Sequence, residues 1–187
     1  MIDKSKPILR GARIVLRPLT GSDADAMYAA LDEPTSKRLT GTHANYTFED
    51  VRAHCIRIEN ADDRWDYGIT IAGELIGEVV LNNLDWPNKS ASLRIALWAP
   101  SQRNKGYGTE AAALLINYGF NTLHLNRIEL EVYTFNPQTR RIYEKLGFRL
   151  EGTRREALIW EGEKVDAHIM SILRSEHASR IGGAEGE

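Results

Sequence analysis

The sequence contains one cysteine, Cys55, which excludes an internal disulfide and any metal site built from several thiolates. Cys55 lies in Val51-Arg52-Ala53-His54-Cys55-Ile56-Arg57-Ile58, where Val51, Cys55 and Ile58 share helical spacing. That spacing reads as a small buried packing residue, with a nucleophile as the other reading. The histidines, His43, His54, His124, His168 and His177, show no HExxH or comparable ligand spacing, so no metal is expected. Long apolar runs are missing too. The stretch Ile76 to Leu81 is broken by Glu78 and falls far short of the roughly 20 residues that span a membrane. The opening Met1-Ile2-Asp3-Lys4-Ser5-Lys6-Pro7 lacks an apolar signal core, and a cytoplasmic location is expected. Neither sign of charge dominates: 24 basic against 26 acidic side chains leave a net charge of -2, so no nucleic acid and no membrane is expected as main partner.

The 187 residues suffice for one core and are few for two, so residues 1–175 read as a single domain. The polar, small-residue stretch 176–187 reads as a frayed tail. Ala12 to Leu19 patterns as a strand closed by Pro18, and Ser22-Asp23-Ala24-Asp25 offers capping oxygens to a helix carrying Met27, Tyr28 and Leu31. Thr47, three residues before Asp50, marks the start of a second helix running to about Asn60. Trp65 to Ala72 and Leu75 to Leu84 flank Gly73-Glu74 as a hairpin. Ser90 to Trp98 continues the sheet after a turn through Asp85-Trp86-Pro87-Asn88, with Leu93, Ile95 and Leu97 on one face. An apolar helix follows from Thr109, then a strand at Arg127 to Tyr133, a helix opened by Asn136-Pro137, and a last hairpin around Glu161-Gly162. These elements predict an α/β domain with a largely antiparallel sheet.

Between the strand ending at Trp98 and the helix from Thr109 lies Arg103-Asn104-Lys105-Gly106-Tyr107-Gly108. Gly106 and Gly108 let backbone amides approach a ligand, the helix start favours an anion, and Arg103 and Lys105 add positive charge. A Rossmann site would need a third glycine where Ala111 stands, and the P-loop pattern is missing. Alone, this segment is equally a glycine-rich surface turn.

The segment resembles the Q/R-x-x-G-x-G/A motif of the Gcn5-related N-acetyltransferases. Asn136-Pro137-Gln138-Thr139-Arg140-Arg141-Ile142-Tyr143-Glu144-Lys145-Leu146-Gly147-Phe148 resembles the family's second signature, N-x-x-(S/A/T)-x-x-(L/V/I)-Y-x-x-x-G-F. Arg17-Pro18-Leu19, Leu75-Ile76-Gly77 and Leu150-Glu151-Gly152 look like the RimJ/RimL-like branch, which acetylates ribosomal-protein N-termini and spermidine. The resemblance covers about residues 10 to 173. It implies the family's fold: a mixed, mostly antiparallel sheet of about seven strands with about four helices, splayed between strands 4 and 5. It further implies acetyl-CoA as cosubstrate and an amine acceptor, with a homodimer as the expected assembly. By the same resemblance Leu97, Trp98 and Ala99 would pair with the pantetheine arm, and Arg103, Asn104, Lys105, Gly106, Tyr107, Gly108 and Thr109 would hold the pyrophosphate. Asn136 and Tyr143 would approach from the next helix.

The family's reaction is attack of a primary amine on the thioester. An alkylamine of pKa near 10.4 must lose its proton, at about 4 to 5 kcal/mol at pH 7, whereas an α-amine near 8 needs far less help. A phenol near 10 can protonate the leaving thiolate, and Tyr143 suits that role. Asn136 and Tyr143 lie seven residues apart, about 20 degrees from one helix face; a cap and a core aromatic are their other readings. The base is harder to place. Relatives carry a glutamate where Leu93 and Leu158 stand here, leaving Glu78, in an otherwise apolar strand, as the best carboxylate, with Glu131 and Asp85 behind it. Glu78 and the loop residue Trp86 are the expected acceptor contacts. The missing carboxylates also permit a non-catalytic acyl-CoA sensor of the same fold.

Overall fold

The computed structural model describes residues 5–31 and 33–182. Its elements in chain order are β1 (Leu9–Arg10), β2 (Val15–Pro18), α1 (Ala24–Ala30), α2 (Pro34–Thr40), α3 (Phe48–Glu59), β3 (Trp65–Ile71), β4 (Glu74–Asp85) and β5 (Ser90–Leu97). Then come α4 (Tyr107–Asn121), β6 (Arg127–Tyr133), α5 (Pro137–Leu146), β7 (Arg149–Trp160), β8 (Glu163–Leu173) and α6 (Arg174–Gly182). One eight-stranded sheet has the order β1-β2-β3-β4-β5-β6-β8-β7. Every neighbouring pair is antiparallel except β5 with β6.

Local chemistry explains most boundaries. Thr47 and Asp50 cap α3 reciprocally, the Asp50 amide donating to Thr47 Oγ1 at 3.2 Å and the Thr47 amide to Asp50 Oδ2 at 2.9 Å. The β3–β4 and β7–β8 turns centre on Ala72-Gly73 and Glu161-Gly162, all with positive φ, the twist a two-residue hairpin loop requires. Asn136 caps α5, Pro137 takes its first position, and Gly147 ends it in the left-handed region. Helix α6 occupies part of the segment read as a tail. The Glu176 carboxylate accepts from the Leu173 amide at 3.0 Å and pairs with Arg149 at 2.9 Å; residues 183–187 lie outside the described residues.

The main core lies between the sheet and the α4–α5 side, built on Trp65, Tyr67, Leu81, Leu115, Phe120 and Ile128 among others. A smaller core under α1 and α3 gathers Leu19, Met27, Val51, Cys55 and Ile58 on the opposite face. Cys55 is buried and free, with Met27 Sδ at 3.7 Å, as its helical spacing suggests. No helix among the described residues is long and apolar enough to cross a membrane.

The feature that positions the site is a break in the sheet. Strands β5 and β6 pair only at Ser90–Arg127, Ala91–Ile128 and Ser92–Glu129. Beyond Ser92, β5 stays with β4 as far as Leu97 opposite Gly77, while β6 stays with β8 as far as Tyr133 opposite Ala167. Helix α4 closes the core over both halves: a Cβ on Gly119 would lie 3.1 Å from Leu81 Cδ1 and 3.2 Å from Ile128 Cδ1.

Candidate active site

The gap between the diverging strands opens into a cavity of about 870 Å³. Alternation along a strand sends successive side chains to opposite faces of the sheet, so the cavity has two chemically different sides.

On the α4–α5 side the wall carries Gly106, Gly108, Thr109, Asn136, Ile142 and Tyr143. Gly106 caps α4 at φ 81°, a left-handed conformation that costs an ordinary residue about 1–2 kcal/mol. A Cβ on Gly108 would lie 3.3 Å from Ile95 Cδ1, so glycine lets the helix start close against β5. The first α4 bond within the helix runs from the Glu110 amide to the Gly106 carbonyl, leaving the amides of Tyr107, Gly108 and Thr109 without helical partners, at the positive end of the helix dipole. Arg13, which the sequence does not single out, braces this turn from behind. Its Nη1 donates to the Lys105 carbonyl at 2.8 Å, its Nε donates to Glu110 Oε2 at 2.9 Å, and its guanidinium lies 5.2 Å over the Tyr107 ring.

Arg103 is committed elsewhere. Its Nη2 donates to Glu33 Oε2 at 2.5 Å and to Ser36 Oγ at 2.7 Å, and it reaches the Leu97 carbonyl at 3.3 Å. Burial would raise the Glu33 carboxyl, yet hydrogen bonds from Arg103, Ser36 and Thr35 outweigh it and hold the group down at about 2. The amides left without helical partners at the start of α4 fit a bulky anion such as a pyrophosphate. The Trp98 amide donates to the Ile76 carbonyl at 3.0 Å, which turns Trp98 toward β4. Alternation then directs the polar backbone groups of Ile95 and Leu97 to the gap. An extended pantetheine arm would meet Leu97, as the resemblance implies, and Ile95 in place of Trp98.

Tyr143 is buried, 5% exposed, and packs 5.6 Å from Phe148. Burial raises its phenol above the ordinary range, so the hydroxyl stays protonated at neutral pH, and it has no hydrogen-bond partner among the described residues. Asn136 also faces the cavity, although its Oδ1 accepts from the Thr139 amide at 3.2 Å as the helix cap.

On the opposite side the wall consists of α2, through Thr35, Ser36, Leu39 and Thr40, and of polar strand residues. Ser92 and Arg94 come from β5, Glu129, Glu131 and Tyr133 from β6, and Asn82 from β4. Glu131 is ion-paired with Arg154, and Glu129 with Arg127 at 2.9 Å. Asn82 Oδ1 is buried without a partner. Helix α2 escapes a periodicity reading because none of its residues is buried. Its signals were local: Glu33 accepting from the Thr35 and Ser36 amides, Pro34 at the first position, and Gly41 at φ 65°.

Other expected residues lie off this wall. Trp86 packs edge-on against Trp65 at 5.8 Å and joins the main core, a correction to its reading as a loop contact for the acceptor. Trp98 packs on the smaller core. Ala99, Lys105 and Tyr107 do not face the cavity, and neither does Glu78, which pairs across β4–β5 with the wall residue Ala96. Glu78 is partly buried; burial raises its carboxyl, with Arg94 pulling it back. Leu93 is 3% and Leu158 7% exposed, so both positions are apolar core.

Residues 13–149 match the family described as acetyltransferase (GNAT) domain. The chain belongs to this family. As a GNAT domain it is 28% identical over 173 residues to an uncharacterized N-acetyltransferase of Bacillus subtilis, YoaA, covering 90% of this chain and 97% of that one. It is 33% identical over 106 residues to a spermidine N(1)-acetyltransferase of Vibrio cholerae, 57% of this chain and 61% of that protein. The solved spermidine N-acetyltransferase of Vibrio cholerae with CoA and spermine superposes at a TM-score of 0.84 and 24% identity, covering 90% of this chain and 99% of that one; it shares the fold. Relative to the family reading of about seven strands and four helices, this GNAT sheet has eight strands, and six α-helices are found among the described residues. The family's reaction, transfer of acetyl from acetyl-CoA to an amine, is accordingly the reaction of this chain.

Proposed function

We propose that this domain moves the acetyl group onto a primary amine by direct attack, with donor and acceptor entering the cavity from opposite faces of the sheet. The observation that carries this reading is a single cavity that begins at the start of α4, is lined by Tyr143, and ends on a polar wall beyond the sheet. Acetyl-CoA, when bound, supplies a carbonyl activated by a tolerable leaving group. The Gly106–Thr109 amides hold its phosphates, and the backbone of Ile95 and Leu97 orients the arm in the gap. Tyr143 gives its Oη proton to the sulfur as the C–S bond breaks. The amine forms the C–N bond and sheds its protons, one before attack and one afterwards; after Tyr143 regains its own, an ammonium acceptor releases one net proton.

Glu78 is the proposed proton acceptor. It stands one residue across from the wall and acts through solvent. Its raised carboxyl supports the role, because a carboxylate of higher pKa is the stronger proton acceptor. Arg103 is assigned to holding α2 against the donor turn, and Asn136 to shaping the wall near Tyr143. A buried free thiol suits a reducing compartment, and the cytoplasm is the proposed setting. Exposed Leu150 and Ile159 on the free edge strand β7 support self-association into a homodimer.

Thiol release from acetyl-CoA with a panel of peptides, polyamines and amino acids, followed by mass spectrometry of the product, tests the reading. An acetylated amine is the expected result. Thermal protection by CoA with no turnover on any amine would leave the sensor reading in its place.

A further inference from the structure

Of the charged groups on the acceptor wall, Arg94 differs from the rest. Glu129 is paired with Arg127, Glu131 with Arg154, and Arg103 with Glu33. Arg94 has no ion pair or hydrogen bond among the described residues, although it faces the cavity. It is exposed, and on β5 it stands two residues before Ala96, the partner of Glu78 across β4–β5. A diagonal neighbour on the same sheet face completes the pattern. Asn82 is opposite Ser92, Arg94 is opposite Val80, and the buried Oδ1 of Asn82 has no donor. A buried carbonyl left unmet costs about 1–3 kcal/mol, and an unpaired guanidinium in a cavity is a fork of donors awaiting an anion.

Resting on the transferase reading above, we propose that the acceptor is an amino-carboxylate: an amine whose molecule also carries a carboxylate, as in a free α-amino acid. Arg94 takes the carboxylate in a charge-assisted pair. The amino nitrogen is left to point through the gap toward Tyr143. An acceptor with a carboxylate matches Arg94, whereas a polyamine would set a second cation beside it. The chemistry is otherwise unchanged: a C–N bond forms, the C–S bond breaks, and one net proton is released from the ammonium. An α-amine also needs less deprotonation than an alkylamine.

The test compares matched acceptors: neutral α-amino acids, the same amino acids as primary amides, and spermidine, each by steady-state thiol release. The wild-type protein is expected to favour the free acid over its amide in kcat/KM. Arg94→Gln should lower kcat/KM for the acid about ten- to hundredfold, the loss of one charge-assisted hydrogen-bonded contact, and change the amide far less. Arg94→Lys should restore part of the preference, and unchanged thermal protection by CoA verifies that both variants are folded. Equal rates for acid and amide, turnover confined to amides or spermidine, or an Arg94→Gln loss that is the same for both acceptors would overturn the proposal and leave acetyl transfer standing. No turnover with any amine while CoA still binds would overturn both.

Discussion

Replacing Glu33 by glutamine should loosen α2 in a way that depends on pH. In the native state the carboxyl is held at about 2 against an ordinary 4.5, and about 2.5 units at 1.36 kcal/mol each bound the stabilisation at ~3 kcal/mol. The pair lies at the cavity rim, with Glu33 20% and Arg103 19% exposed, and solvent screening brings the expected value to ~1–3 kcal/mol. Because the folded pKa is depressed, this stabilisation is complete above about pH 4.5 and disappears as the pH falls toward 2. Hydrogen exchange at the Lys37 and Gly41 amides, which donate to the Glu33 and Arg38 carbonyls, reports on the helix directly. Taking variant over wild type at the same pH cancels intrinsic exchange. The ratio should be about 5- to 150-fold at pH 7 and approach one near pH 2, by the same tenfold-per-1.36 kcal/mol conversion. A ratio near one at pH 7, or one that does not change with pH, would show that the ion pair does not hold α2 and that the assignment of Arg103 is wrong.

Tyr143→Phe should lower kcat about 10²- to 10⁴-fold, the range of a general acid, while CoA affinity and thermal stability change little, since the hydroxyl has no protein partner to lose; stopped-flow turnover beside calorimetry separates the effects. Glu78→Gln should remove the acid limb of the pH–rate profile. It should also raise stability at neutral pH, because a carboxyl whose folded pKa is raised weakens the fold once the pH exceeds its unfolded value; a variant both inactive and less stable in denaturant titration would contradict this. Gly106→Ala forces a side chain to φ 81° and within 3.0 Å of Arg13 Nη2. A loss of ~1–2 kcal/mol in urea unfolding and weaker CoA binding by calorimetry are expected. Gly77→Ala would drive a Cβ into the Ala96 carbonyl, with Leu97 Cα at 3.0 Å, so β4 and β5 must part where the gap is widest; KM for acetyl-CoA should rise, and an unaltered KM would place the gap elsewhere.

The donor half of the site is legible in sequence because its function is written in short spacings. Gly106 and Gly108 fix a backbone path, and Asn136, Pro137, Tyr143 and Gly147 fix one helix with its cap, its inward face and its end. The acceptor half has no such code. Ser92 and Arg94 occur there only because they alternate with Leu93 and Ile95, and the parting of β6 from β5 after three residues follows from the family resemblance, not from any local spacing. The brace from Arg13 to Glu110 and the bond from Arg103 to Glu33 join residues 97 and 70 positions apart, distances at which spacing carries no signal. Trp86 shows the limit of a loop reading: expected as an acceptor contact, it packs its ring edge-on against Trp65, because a large apolar ring is driven from water wherever the loop allows it.

The parting of β5 from β6 divides inheritance as well as space. The turn proposed to hold the donor is folded by α4, α5 and the main core, whereas Arg94, Asn82, Glu129 and α2 stand on the other side of the sheet plane. Substitutions on that far wall can accumulate without strain on the glycine turn, so descendants of one such gene can exchange the molecule they acetylate while keeping the cosubstrate they spend. A lineage could therefore change its diet at Arg94 and still be recognisable at Gly106 and Gly108.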